Sequence, residues 1–553
     1  MVHSNQKSEV FCTYSTNPDQ SQTPIHQNKD SATAAKDAVA LALDAGTKLW
    51  HTPSKEAWIT IARAGHVEHH PVRGKEFRVW LAGIYYAKKG KPLYAQALQD
   101  ALTVLEARAL FEGEEHEVHT RIAGRDGNVY LDLARTDWTV VEISPSGWRV
   151  IPAHDAPVRF RGGRHQSPLP IPEQGGSLAP VVELLPLKER RDLALVLGWL
   201  VGTLSPQGPY PILVLAGEKG AGKSSVGRML KCLVDPQMAA LKAEPKDVDA
   251  LMVGANAGRI LAYDNLSKIA AWLSDALCRL STGGGLGKRE LYTDTDECVM
   301  EAQRPIILTG IGFGLLRDDL GDRVAMVNLT RLEDGERSPE REVWENFTRA
   351  HPQALGAILN AAALATRRWD EVRKAMPSLP CLADWAIWAE AAAPGLNLEA
   401  GEVVEAFYAV QAGLSQDLLD NDPVAMALLL LTADWPEGHR ETFTASDLLS
   451  ALEGAMDLKD ARVKPENWPR TPQGLGRHLP RLQSALRGAG LKVEGVRDAR
   501  IKRLLWVLKK GGNKSGKSRK QASGLHSRPR DLFLPYPAKS RISRTNPASA
   551  KRL

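Results

Sequence analysis

Apolar positions along the chain switch between a helical and a strand period, and the switches mark its modules. Residues 34–45 (AAKDAVALALDA) carry helical spacing, and residues 94–111 place Leu98, Leu102, Leu105 and Leu110 on or near one face of an amphipathic helix. Beyond the first of these, and on both sides of the second, short β-branched runs bounded by Gly, Pro or Asp predict strands at 57–61, 77–81, 129–133, 138–143 and 148–151. Residues 36–176 therefore read as a small α+β module, closed by the turn-rich joint SPLPIPEQGG at 167–176. Beyond the joint, 188–203 has helical periodicity, 211–216 is a continuous apolar strand and 224–233 is helical again. The runs 259–263 and 305–309 are two more buried strands of the kind parallel sheets use, so 177–335 predicts an α/β sheet domain.

Residues 336–439 are rich in Ala, Leu and Trp at helical spacing and read as a helical connector. In 440–508 the order changes to helices at 445–452 and 473–489, then strands at 491–493 and 503–507, the order of a winged helix-turn-helix. Residues 1–35 lack periodicity and aromatic density, and 509–553 are dominated by Lys, Arg, Ser and Gly; both read as disordered segments.

A chain of 553 residues, 43% apolar and 25% charged, has room for several globular cores, which excludes fibrous and wholly disordered classes. The net charge of +6 conceals an asymmetry: residues 501–553 hold 15 Lys and Arg against one acid, Asp531, so the tail carries +14 and the first 500 residues −8. Such a tail supplies salt-dependent, sequence-independent attraction to phosphate, with acidic proteins or RNA as other partners. Five scattered cysteines, Cys12, Cys232, Cys278, Cys298 and Cys381, form no zinc or disulfide framework. Without a signal peptide or a span-length apolar run, the expected compartment is the cytoplasm, with no membrane contact.

The chemistry concentrates at Gly217, Glu218, Lys219, Gly220, Ala221, Gly222, Lys223 and Ser224, which satisfy G-x-x-x-x-G-K-[ST] between an apolar strand and a helix. The glycines permit a turn whose N–H groups surround phosphate oxygens; Lys223 would reach the β and γ phosphates of ATP, and Ser224 would hold Mg²⁺. At the end of the next strand, Asp264 would join the Mg²⁺ shell, against the plainer reading of an Asp-Asn turn. Asn265 stands where many ATPases place Glu, and an amide is a poor base. Thr309 ends a further strand, either sensing the γ-phosphate or orienting water, or else capping a core strand. Arg323 either reaches a neighbouring subunit's ATP or pairs with Asp322. Lys288, Arg289 and Tyr292 lie in a hairpin pattern suited to phosphate contact with stacking, or to a solvated turn. The group His66, Glu68, His69 and His70 reads as a surface turn in preference to a metal site.

In this order the segments resemble superfamily 3 helicases, the AAA+-like P-loop ATPases of viruses, phages and plasmids, and most closely the phage and integrative-element primase-helicase group. Residues 217–224 match motif A, 259–265 look like motif B, Lys288 and Arg289 fall where the family places its DNA-contacting hairpin, 305–310 look like motif C, and Asp322-Arg323 is similar to its arginine-finger segment. The resemblance implies a hexameric ring that binds ATP and Mg²⁺ at subunit interfaces and moves on single-stranded or forked DNA in the replication of a prophage or mobile element. A primase or another replication protein is then a candidate partner. Two departures, Asn265 for the second acid of motif B and Thr309-Gly310 for the Asn that commonly ends motif C, both touch water activation. The region 440–508 is similar to winged-helix tails of mobile-element replication proteins, with Arg477, His478, Arg481 and Arg487 toward the groove or, equally, on a solvated helix face. Rival readings are an ATP-gated DNA-binding initiator or switch with slow hydrolysis, and a metabolic P-loop kinase.

Overall fold

Four parallel strands set the geometry of the larger unit. In the computed structural model they lie in the spatial order Leu261–Leu266, Ile306–Gly310, Ile212–Ala216, Val324–Asn328. Every residue of Ile212–Ala216 and Ile306–Gly310 is buried, which is why these strands read as unbroken apolar runs. The structure describes residues 25–63, 66–163, 165–289, 297–310, 318–333, 335, 337–458, 464–465, 467–498 and 503–511. The chain divides into two compact units between Gln411 and Ala412, within helix Glu402–Asn421.

In the first unit, helix Ile25–Asp44 starts inside the segment expected to be disordered. The predicted strand at 77–81 is instead part of helix Lys75–Lys89, because Phe77, Leu81 and Tyr85 recur every four residues and all three are buried on one face. With helix Ala95–Phe111 these pack against the four-stranded sheet that contains Lys48–His51, Ala57–Arg63, His66–Pro71 and Glu114–Glu115. On that sheet Trp50 stacks on Trp58 at 5.4 Å, and the guanidinium groups of Arg159 and Arg161 lie over the two rings at 4.7 and 5.1 Å. A second antiparallel sheet runs in chain order from Ile122–Arg125 to Gly147–Pro152.

The joint at 167–176 is packed into the unit and is no loose linker. Leu169 N donates to Leu133 O at 2.9 Å, Glu173 N to Pro352 O at 3.0 Å, and Trp148 Nε1 to Asn360 Oδ1 at 2.8 Å, tying joint and sheet to the long helix Glu340–Ala375. The approach requires glycine: a Cβ on Gly356 would meet Glu173 O at 1.8 Å, and one on Gly176 would meet Gln353 O at 2.0 Å.

The second unit has its own core, in which Val424 and Leu428 pack with Leu448, Leu475, Leu486, Trp506 and Leu508. It therefore takes in helix Pro423–Leu431, which the sequence reading placed in the connector. Its three-stranded sheet has the order Arg440–Thr444, Arg503–Lys510, Leu491–Asp498. The expected helix over 473–489 is broken into Pro472–His478, a 3-10 turn Leu479–Leu482 and Gln483–Gly488, since Pro480 has no N–H to continue the ladder. His478 faces inward as well: its Nε2 lies 2.7 Å from Oδ2 of Asp422, whose Oδ1 caps helix Pro423–Leu431. Arg477, Arg481 and Arg487 are exposed.

Candidate active site

Between strand Ile212–Ala216 and helix Lys223–Val234, the chain turns through Gly217 (φ 145°), Gly220 (φ 87°) and Gly222 (φ 75°), a backbone path closed to most L-residues. Lys223 Nζ folds back on this turn, donating to Gly217 O and Glu218 O at 2.8 Å each. Ser224 Oγ donates to Asp264 Oδ1 at 2.9 Å.

Register explains that convergence. Leu308 is paired with both Val214 and Tyr263, so the residues just beyond, Thr309 and Asp264, emerge with the glycine turn at the C-terminal edge of the sheet, where open α/β sheets hold ligands. A bulge between Tyr263 and Leu266 re-aims Asp264 and puts Asn265 in the left-handed region at φ 59°. The Asn265 side chain is exposed. Thr309 Oγ1 donates to the same Asp264 oxygen and accepts from Asn265 N at 3.0 Å. Thr309 is only 1% exposed, and its hydroxyl is taken up by the Asp264 carboxylate and the Asn265 backbone N–H. A serine hydroxyl and a carboxylate oxygen 2.9 Å apart make a hard-oxygen pair that fits Mg²⁺ with several retained waters.

Below this edge a buried charge cluster pins the loop helix to the strand bearing Asp264. Lys231 Nζ donates to Ile260 O at 2.5 Å and to Asp235 Oδ2 at 3.1 Å. Asp235 Oδ2 also accepts from Arg259 N and Ile260 N, and its Oδ1 accepts from Arg121 Nε at 3.2 Å. Burial raises the Asp235 carboxyl, but Lys231 and Arg121 outweigh it and hold the group below its usual range. Arg121 belongs to the N-terminal module, so that module and the loop helix share one electrostatic anchor. Sequence reasoning missed it, because Lys231 and Asp235 resemble an ordinary surface i,i+4 pair.

Arg323 lies at the other edge. Its carbonyl accepts from Ile212 N at 2.8 Å, at the start of the strand whose far end leads into the glycine turn. Gly285–Arg289 and Glu297–Glu301 form an antiparallel hairpin with Lys288 opposite Cys298 and Arg289 opposite Glu297. Its base is on the Arg323 edge, where Tyr210 N donates to Ser281 O and Arg304 N to Leu280 O, both at 2.9 Å. Tyr292 lies outside the described residues. Arg477 and Arg481 belong to the second unit.

Among the described residues no group of three or more His, Cys, Asp or Glu is placed to hold a metal ion. His66 and His70 each approach a Glu68 oxygen, at 3.1 and 3.0 Å, while His69 turns to Thr60 Oγ1 at 2.8 Å, where burial pushes its imidazole down to about 4. No described helix is long and apolar enough to cross a membrane.

Two family models match the sequence. The actinomycete integrative conjugative element replication protein takes in residues 181–421, and the C-terminal domain of that RepA family takes in 424–522. Among solved structures the chain is similar to the A form apo structure of NrS-1 C terminal region, at 12% identity over 86% of this chain and 99% of that one, with a TM-score of 0.37. A second apo structure of NrS-1 C terminal region (305-718) matches at 12% identity over 87% and 100%, again at 0.37. No curated protein matches.

Proposed function

Since this chain belongs to the replication proteins of actinomycete integrative conjugative elements, which its two matched models span over more than half its length, we propose that it is an ATP-dependent DNA helicase or translocase that acts when such an element replicates. The observation that carries the reading is the bonded chain Ser224, Asp264, Thr309 at the mouth of the glycine turn. Lys223 would leave its two carbonyls for the β and γ phosphates, and Ser224 and Asp264 would hold Mg²⁺. Bound Mg²⁺ supplies charge neutralisation between those phosphates. Residues 217–222 would surround the phosphates with N–H groups. Arg323 would act on ATP held by a neighbouring copy in a ring, expected to be a hexamer of AAA+ type. Lys288, Arg289 and Tyr292 would touch the strand in the channel, while a winged-helix-like second unit with Arg477 and Arg481 would engage duplex.

The test is phosphate release and forked-duplex separation by the full chain with ATP and Mg²⁺, beside Lys223→Ala and Asp264→Asn. Release that single-stranded DNA stimulates, strand separation, and loss of both in either variant support the reading. Equal activity in the variants removes those residues from it. A second reading, an ATP-gated initiator with slow turnover, draws on Asn265, whose exposed amide stands at the expected position of a water-polarising acid. It predicts ATP-dependent DNA retention with almost no release.

A further inference from the structure

Between Val324–Asn328 and helix Glu340–Ala375, the connecting strap places Leu329, Thr330 and Arg337 beside the glycine turn. The contacts are ordered. Leu329 O approaches so closely that a Cβ on Gly217 would meet it at 2.6 Å, and Thr330 N donates to Pro186 O at 3.4 Å, with a Cβ on Gly222 only 3.9 Å from the Pro186 ring. Further on, Arg337 Nη2 lies 3.6 Å from where a Cβ on Gly220 would stand. The strap is then fastened by Glu340, which accepts from Arg228 Nη1 at 3.3 Å, and by Trp344, whose ring lies 5.4 Å from the Arg228 guanidinium. Arg228 is on the helix that the turn opens.

The strap therefore brings an exposed guanidinium to the middle of the turn from within the same chain, whereas Arg323 is held at the far edge of the sheet. A guanidinium is planar, permanently charged and forked, and so matches phosphate oxygens better than an ammonium does. We propose that Arg337 is a nucleotide-binding residue in cis that engages the polyphosphate of a nucleoside triphosphate seated on residues 217–224. The proposal rests on reading that turn as the triphosphate site.

The experiment measures, for the full chain, the affinity for a fluorescent ATP analogue with Mg²⁺ and the melting temperature with and without ATP, in wild type, Arg337→Ala, Arg337→Lys and Lys223→Ala. Arg337→Ala should weaken binding about tenfold or more, the scale of one lost charge-assisted hydrogen bond. It should shrink the ATP-induced rise in melting temperature while leaving the nucleotide-free value in place, and Arg337→Lys should recover only part of the loss. Wild-type affinity in Arg337→Ala, with Lys223→Ala impaired, overturns the proposal and leaves the site standing. A nucleotide-free melting temperature that falls by as much as the ATP shift overturns it in favour of a packing role. No binding by wild type defeats the reading of the site itself.

Discussion

Lys223 and Arg323 stand at opposite edges of one parallel sheet: Lys223 follows the turn that ends strand Ile212–Ala216, and Arg323 O accepts from Ile212 N at its beginning. At about 3.3 Å per residue the strand alone keeps them roughly 15 Å apart. One chain cannot bring both side chains to a single γ-phosphate without breaking the sheet.

Arg323→Ala should therefore leave nucleotide affinity nearly unchanged while cutting phosphate release about a thousandfold, the scale of a transition-state arginine. Mixing Arg323→Ala with Lys223→Ala chains should restore part of the turnover, because some interfaces then pair an intact turn with an intact guanidinium. Titrating one variant into the other and following phosphate is the check; no recovery at any ratio removes the action in trans.

Thr309→Val keeps the shape of a buried side chain and deletes the hydroxyl that links Asp264 to the backbone N–H of Asn265. We expect turnover to fall about ten- to a hundredfold with little change in ATP affinity, since positioning and not charge is lost. Thr309→Ser should recover most of it. Steady-state kinetics of both variants decide the point, and a wild-type rate in Thr309→Val rules the steering role out.

Arg121→Met leaves the fully buried Asp235 with one cation fewer. Removing one partner of a buried ion pair costs about 3–5 kcal/mol, so the N-terminal module and the loop helix should lose stability together in one transition. The depressed Asp235 carboxyl gives the same contact a pH sign. Its contribution is complete above the unfolded carboxylate range and declines as acid approaches the lower folded value. Denaturant unfolding followed by tryptophan fluorescence at several pH values tests both statements.

His351 faces Leu233 O at 3.2 Å, and burial pushes its imidazole from 6.5 down to about 4. Between those values the unfolded chain binds the extra proton, so stability falls as pH drops from 6.5 toward 4, by on the order of 3 kcal/mol. His351→Phe should flatten the acid limb of a melting-temperature profile over that window; an unaltered slope would contradict the assignment.

Gly356→Ala forces a methyl group against Glu173 O. Overpacking of this kind costs about 1–3 kcal/mol. Thermal unfolding of the variant should show it, while Gly413→Ala, where a Cβ meets nothing within 4 Å, should stay near wild type.

By itself the sequence determined what is local. Glycines at the turn, the apolar runs of the sheet and the single carboxylate at the end of its neighbour are written in consecutive residues, because backbone permission and average burial depend on near neighbours. Only tertiary structure decided which polar groups meet. Ser224 and Asp264 are 40 residues apart, and Arg121 and Asp235 are 114 apart. Lys231 and Asp235 have the spacing of a solvated helix pair, yet they are sealed beneath the site by segments far away in the chain. Likewise Phe77 and Leu81 read as a strand until a sheet offered its face to a four-residue repeat, and only the fold shows that the Thr309 hydroxyl meets the Asp264 carboxylate. A hydrogen bond or a buried charge takes its meaning from what lies across the gap, and linear pattern carries no coordinate for that distance.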